Sequence, residues 1–326
     1  MPPQFMALPT ELLDVVASHV PVHDLPALCR ANHRLYDVCL RWIYHTLSPA
    51  TVARAVEIFK VLVSNEVAGA FVKVFIIRLR FDGVFKSFTR LMAKALINLT
   101  SLESLNCSFS PRVFSSLSLT SFPRLLDCKI PFCADAVVFL RLHPTLVKLR
   151  LIPDFSLARP TYSSSPISLP VLREFSGPAW AAREIVPHSS IEVVTLAWNE
   201  SFPETYHIVL NGFSGIQQPL RVMNNLVFTW DPVFLLAIAK HLPRLAVCNI
   251  WKMVTAWPGD NTLEAFYDAL KTAILDLTHL VIFSCTLICR CLRIGIPFGS
   301  LADVHTCQQY DVAPWRGELL VSPRSR

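Results

Sequence analysis

The chain has 326 residues, of which 52% are hydrophobic and only 17% are charged, and its mean hydropathy is +0.43. This composition excludes an intrinsically disordered chain, because apolar residues are plentiful enough to bury a large core. The formal charge is +6, but the Lys and Arg residues are scattered and form no basic run, so we expect no nucleic-acid surface.

The same composition raises the question of a membrane protein. The most apolar run, residues 280–289, is too short to span a bilayer and is followed directly by Arg290. The amino-terminal residues lack a basic stretch followed by an apolar core, so we expect no signal peptide. The ten cysteines are then expected to be reduced thiols. The sequence therefore predicts a cytoplasmic or nuclear protein that does not contact a membrane.

Residues 8–47 carry three short helical patterns. We expect Pro9 in the first turn of the first helix, whose apolar residues recur at helical spacing until Pro21 stops it. Asp24 is a predicted N-cap of the second helix, and Asn32 of the third. So short a segment cannot bury all these apolar side chains by itself. The remaining apolar surface is left either for a partner protein or for the domain that follows, and the residues alone leave both open.

The residues of this segment resemble the F-box motif, in the form found in fungal F-box proteins. The likeness consists of a leading Leu-Pro, a Glu-Leu-Leu helix start, an Asp-Leu pair and aromatic residues near the end: Leu8, Pro9, Glu11, Leu12, Leu13, Val16, Asp24, Leu25, Leu28, Leu35, Trp42 and Tyr44. It covers roughly residues 5–48. It departs from the motif in the third helix, where Arg34, Leu35 and Tyr36 replace a Ser/Cys-Lys/Arg-x-Trp run.

The resemblance implies a docking site for the Skp-family adaptor of a cullin-RING ubiquitin ligase. The apolar helix faces would insert into a groove of that adaptor, a common mode of helix recognition. The residues expected to carry the docking, by contact or by supporting the helices, are Leu8, Pro9, Leu12, Leu13, Val16, Leu25, Leu28 and Leu35.

A short phrase, apolar-x-x-apolar-x-apolar-x-x-small polar, recurs in the rest of the chain. Its ten instances begin at Val74, Leu102, Leu125, Leu146, Leu172, Ile191, Met223, Leu245, Leu280 and Leu301. This pattern resembles a degenerate leucine-rich repeat, in which each phrase supplies one short strand. Helical patterns fall between the strands at residues 91–96, 136–142, 233–241 and 263–275. An ordinary α/β domain whose strands share a pattern remains the alternative.

The predicted fold is therefore α/β. It has three parts: a small three-helix F-box domain at 1–48, a linker helix within 49–70, and a leucine-rich-repeat-like solenoid with a parallel sheet at 71–326. The helical pattern of the linker runs over residues 51–63.

In such a solenoid, the residue between the second and third apolar positions of each phrase points away from the core. These outward positions are Arg78, Asn106, Lys129, Arg150, Ser176, Thr195, Val227, Asn249, Ser284 and His305. Three of the first four are basic, which favours an acidic or phosphorylated target segment, with Arg150 as the best bidentate partner. A solvated charged face without a ligand is the alternative. We take Arg78, Lys129, Arg150 and Asn249 as candidate substrate contacts.

The sequence shows no motif for catalysis or for a cofactor. The only metal-like grouping is Cys285, Cys289, Cys291, His305 and Cys307, whose spacing matches no common zinc site, so we expect buried thiols and no metal. The predicted function is that of a non-enzymatic substrate-recognition subunit, which docks on the adaptor, and through it on a cullin, and holds a protein target. The alternatives are a non-degradative scaffold and an α/β hydrolase.

Overall fold

A computed structural model describes residues 8–78, 85–108, 114–152, 167–198, 203–214, 216, 219–254, 261–289 and 306–311. Helices alternate with parallel strands along these residues, which confirms the predicted α/β class. The chain divides into two compact units, Met1–Thr145 and Leu146–Arg326. None of the helices in the described ranges is long and apolar enough to cross a membrane.

The first unit begins with three helices: α1 (Thr10–His19), α2 (Leu25–Ala31) and α3 (His33–His45). Asn32 caps α3 as predicted, because its side chain accepts a hydrogen bond from the backbone N–H of Arg34 at 2.8 Å. Asp24 occupies the N-cap position of α2 as predicted, but its side chain makes no capping hydrogen bond. Pro9 is the N-cap residue of α1, directly before Thr10, and does not lie in the first turn of the helix as expected.

The first unit continues with β1 (Thr46–Leu47), α4 (Val52–Ser64), α5 (Glu66–Ala70), β2 (Val74–Ile77), α6 (Lys86–Ile97), β3 (Ser104–Cys107), β4 (Asp127–Pro131) and α7 (Ala134–Arg141). Its four strands pair in chain order, and the registers of β1 with β2, β2 with β3 and β3 with β4 are parallel. Helix α4 confirms the helical pattern predicted for residues 51–63, and Thr51 caps it.

The second unit contains β5 (Lys148–Ile152), β6 (Glu174–Pro178), α8 (Ala179–Ile185), β7 (Val193–Ala197), α9 (Pro203–Ser214), β8 (Val222–Val227), α10 (Pro232–His241), β9 (Val247–Val254), α11 (Asn261–Asp276), β10 (Ile282–Cys289) and β11 (Thr306–Asp311). Strands β5 to β10 are parallel and pair in chain order, whereas β11 runs antiparallel to β10. The predicted helices at 91–96, 136–142, 233–241 and 263–275 correspond to α6, α7, α10 and α11.

The recurring apolar phrase explains how each strand is buried. In the phrase that begins at Leu146, the first, fourth and sixth residues (Leu146, Leu149 and Leu151) are buried, and Arg150 between the last two is exposed. This alternation follows from the period of two in a β-strand. The apolar positions therefore form the core on one face of the strands and leave the intervening residues on the other face.

In two phrases the predicted starting residue is wrong, so that the positions assigned to the core and to the outer face are shifted. The buried residues around β2 are Val72, Phe75 and Ile77, so the first phrase begins at Val72 rather than at Val74. Those around β8 are Leu220, Met223 and Asn225, so that phrase begins at Leu220 rather than at Met223. The phrase predicted at Leu301 lies outside the described residues.

Candidate functional site

The first three helices share a core of their own. Its buried members are Leu13, Ala17, Leu25, Leu35, Val38 and Cys39, and the partly buried Leu8, Val20, Leu28, Cys29, Trp42 and Ile43 pack against them. Three predicted docking residues, Leu13, Leu25 and Leu35, therefore hold the helices together and do not face outward. Leu8 and Leu28 are partly covered by the same core, and Pro9 is exposed.

The outer face of α1 carries an apolar strip. Leu12, Val15 and Val16 are 50%, 54% and 39% exposed, and they lie at positions i, i+3 and i+4 of the helix. We call these three residues the α1 strip. Leu12 and Val16 were predicted as docking residues from the sequence, whereas Val15 was missed, although its spacing from Leu12 would have placed it on the same face.

Polar side chains of α3 fix α1 in place. The indole N–H of Trp42 donates to the carboxylate of Asp14 at 3.1 Å, and the guanidinium of Arg41 lies 3.2 Å from the same carboxylate. Near the start of α1, the guanidinium of Arg34 donates to the backbone carbonyl of Leu8 at 3.0 Å and to the hydroxyl of Thr10 at 3.3 Å. The α1 strip is thus presented on a helix held at its start and near its middle, so little conformational freedom is left to be lost on binding.

The second candidate surface is the face of the strands opposite the core. In the first unit the strand registers align Ile76, Asn106 and Lys129 in one row. In the second unit they align Arg150, Ser176, Thr195, Asn224, Asn249 and Ser284. We call the latter the polar row.

Two predicted outward positions do not belong to these rows. Arg78 is exposed but follows β2, and Ile76 takes its place beside Asn106. Val227 is buried, and Asn224 takes its place between Thr195 and Asn249. Both errors come from the shifted frames of the two phrases. His305 lies outside the described residues.

A chain of hydrogen bonds runs along the polar row. The side-chain amide of Asn249 donates to the amide oxygen of Asn224 at 2.8 Å, and the amide of Asn224 donates to the hydroxyl of Thr195 at 3.1 Å. The row is therefore basic only at Arg150 and is neutral and polar across β7 to β9.

Two Lys side chains near these rows are paired with acids. Lys148 lies 2.7 Å from Glu174 on the next strand, and in the first unit Lys73 lies 3.0 Å from Glu103. These pairs offset positive charge beside the rows. Binding of an acidic target segment stays a prediction.

Two polar residues on the core side of the strands were not anticipated. Asn225 is buried, and its amide oxygen accepts a hydrogen bond from the indole N–H of Trp198 at 3.0 Å. Lys252 is also buried, its ammonium group lies 5.5 Å from the centre of the Trp230 ring, and burial lowers its pKa. In both contacts the two residues are far apart in the sequence, so a local sequence pattern could not predict that they meet.

Two thiols of the second unit, Cys248 and Cys285, have raised pKa values. Burial raises the pKa of Cys248 to about 12, and burial together with Cys248 raises the pKa of Cys285 well above its ordinary value. A thiol with so high a pKa is neither a ready nucleophile nor a ready metal ligand at neutral pH. Within the part of the chain that the structure describes, no group of three or more His, Cys, Asp or Glu residues could hold a metal ion. The side chains of Cys289, Cys291, His305 and Cys307 lie outside it.

A scan against protein-family models and a search of curated proteins both found no match to the chain.

Proposed function

We propose that the chain is a substrate-recognition subunit of a Skp-cullin-F-box ubiquitin ligase. The α1 strip is the observation that carries this proposal. It is an apolar surface on a helix whose other side already packs in a core, and it coincides with two residues of the F-box resemblance, Leu12 and Val16. A helix face of this kind is suited to insertion into the groove of a helical adaptor.

The exposure of the α1 strip sets the affinity that it can supply. Fully burying a Leu or Val side chain gains about 1.5–3 kcal/mol, and each of the three still has about half of its surface to bury. Covering all three therefore gains about 2–4 kcal/mol, which corresponds to about 30- to 700-fold in Kd. The strip can thus supply a large part of the affinity for an adaptor. The rest of the binding free energy would come from the partly buried Leu8 and Leu28 and from polar contacts.

In this proposal the chain has an F-box domain at residues 1–48, a linker helix within 49–70 and a leucine-rich-repeat-like solenoid at 71–326. The parallel strands that pair in chain order, most of them with buried first, fourth and sixth phrase positions, support the solenoid. The strand face opposite the core would bind a protein target. Docking would then raise the concentration of that target beside the ubiquitin-loaded conjugating enzyme.

Co-purification with a Skp-family adaptor tests the docking. Leu12→Asp with Val15→Asp places two charges on the α1 strip without touching the buried core, so the variant should fold and should lose adaptor binding by at least about 30-fold. The control is Ile97→Asp on α6, which changes an exposed apolar residue outside the strip.

Circular dichroism of each variant checks that the helices are intact. Adaptor binding that survives in the folded double variant, or that is lost equally in the Ile97→Asp control, contradicts the proposal. In vitro ubiquitination of captured partners then separates a ligase subunit from a non-degradative scaffold, because only the former transfers ubiquitin to its target.

A further inference from the structure

A pair of histidines lies between α9 and α10 in the second unit. Nδ1 of His207 is 3.0 Å from Nε2 of His241, and the two rings are inclined at 61° with their centroids 5.2 Å apart. Both side chains are partly buried, so one edge of the pair reaches solvent. Since an imidazole nitrogen either donates or accepts, one of the two facing nitrogens carries a proton and the other offers its lone pair.

The crossing of the two helices holds this pair in place. Tyr206, the residue before His207, is buried, and its ring lies 5.0 Å from that of Phe234 on α10. The Tyr206 hydroxyl also bonds to the carboxylate of Asp231, which caps the start of α10 by accepting the N–H of Val233 at 2.9 Å. The histidine backbones are therefore fixed by packing that does not involve the imidazoles.

This geometry is close to that of two imidazoles bound to one metal ion. Zinc–nitrogen bonds of about 2.0–2.1 Å at a tetrahedral angle place the two nitrogens about 3.4 Å apart. The nitrogens would therefore separate by a few tenths of an ångström, and the rings would turn until both lone pairs point at the ion. We propose that His207 and His241 are two protein ligands of a divalent transition-metal ion that prefers imidazole, such as Zn²⁺ or Ni²⁺, with water completing its coordination. On binding, the ion takes the place of the shared proton, and the ring that carried this proton changes to its other neutral tautomer, with the proton on its outer nitrogen. Both facing nitrogens then donate their lone pairs to the metal, and both rings stay neutral.

The surroundings fit an open, two-histidine site. Among the described residues no third His, Cys, Asp or Glu joins the pair, and the solvent-facing edge gives water access to the remaining coordination positions. Burial, His207 and Lys240 lower the pKa of His241, in that order of importance, which favours the neutral imidazole that a metal requires. Imidazole ligands select zinc, copper and nickel over magnesium and calcium.

Calorimetric titration of the full-length chain with NiCl₂ and with ZnCl₂ tests the proposal. We expect a saturable site for one ion, weakened at least about tenfold in His207→Gln and in His241→Gln, since each variant removes one ligand. Glutamine can still hydrogen-bond to the remaining imidazole, so these variants should fold. His19→Gln, on the exposed last turn of α1, is the control and should bind as the wild type does.

A second measurement needs no variant. Carbethoxylation by diethyl pyrocarbonate, mapped by mass spectrometry, should modify His207 and His241 less when NiCl₂ is present, whereas modification of His19 should be unchanged. Equal metal affinity of the wild type and both glutamine variants, or unaltered modification of the pair, would overturn the proposal. The adaptor interaction is unaffected in either case, so the two proposals fail independently.

Discussion

His143 offers a direct test of how the first unit is stabilised. Its side chain is only 1% exposed, its Nε2 accepts the backbone N–H of Phe122 at 2.9 Å, and its Nδ1–H donates to the carbonyl of Phe139 at 2.7 Å. This pattern requires the neutral ring, because a proton on Nε2 would point at the N–H of Phe122. Burial accordingly lowers the pKa of His143, against the opposing effect of the bond to Phe139.

Replacing His143 by Ala should destabilise the unit by about 3–5 kcal/mol. The variant leaves the buried N–H of Phe122 without an acceptor, which costs about 1–3 kcal/mol, and it leaves a cavity beside the rings of Phe122 and Phe139, which costs about 2 kcal/mol more. The carbonyl of Phe139 still accepts the N–H of Leu142. His143→Gln, whose amide oxygen can accept from Phe122, should lose less stability.

The same residue should make stability depend on pH. Below pH 6.5, the ordinary value, the unfolded chain binds a proton at His143 that the folded chain does not. The free energy of unfolding should therefore fall as the pH drops through this value, by at most about 1.4 kcal/mol per pH unit, until the lower pKa of the folded state is reached.

Urea denaturation at pH 7.5 and 5.5 measures both effects. The difference in pH dependence between the wild type and His143→Gln isolates this side chain from the other histidines. An identical pH dependence in the two proteins, or a loss below 1 kcal/mol in His143→Ala, would refute the reasoning.

Two further substitutions test packing elsewhere in the chain. Gly69→Ala would bring a methyl group 2.7 Å from the backbone oxygen of Asn98, so we expect urea denaturation to show a loss of about 1–3 kcal/mol, whereas Ala70→Gly is the adjacent control. Asn225→Leu should cost about 1–3 kcal/mol in the same assay, because the buried indole N–H of Trp198 then lacks an acceptor, and adding Trp198→Phe should recover part of the loss. No coupling between these two changes would contradict the second prediction.

The repeating phrase identified most strands because the burial of a strand alternates with a period of two. It assigned residues correctly to the core and to the outer face where the outward residues are polar, as at Asn106 and Arg150. It failed where apolar residues occupy both faces of the strand. Val74 and Leu226 lie on the outward face and yet are apolar, so a shifted frame matched the pattern equally well.

The candidate surfaces were only partly predictable for a different reason. Leu12 and Leu13 are neighbours of the same type, and only the packing of α1 on α3 decides that Leu13 is buried and Leu12 exposed. Likewise, His207 and His241 lie on separate helices and meet only through the crossing of α9 and α10. Local spacing carries no information about such long-range contacts.

The amide chain through Asn249, Asn224 and Thr195 constrains how this region can change. Each of its members comes from a different strand, so sliding β7 or β9 by two residues would break one of the two hydrogen bonds, and sliding β8 would break both. Insertions are therefore tolerated in the connections between these strands only if they preserve the alignment of the strands themselves.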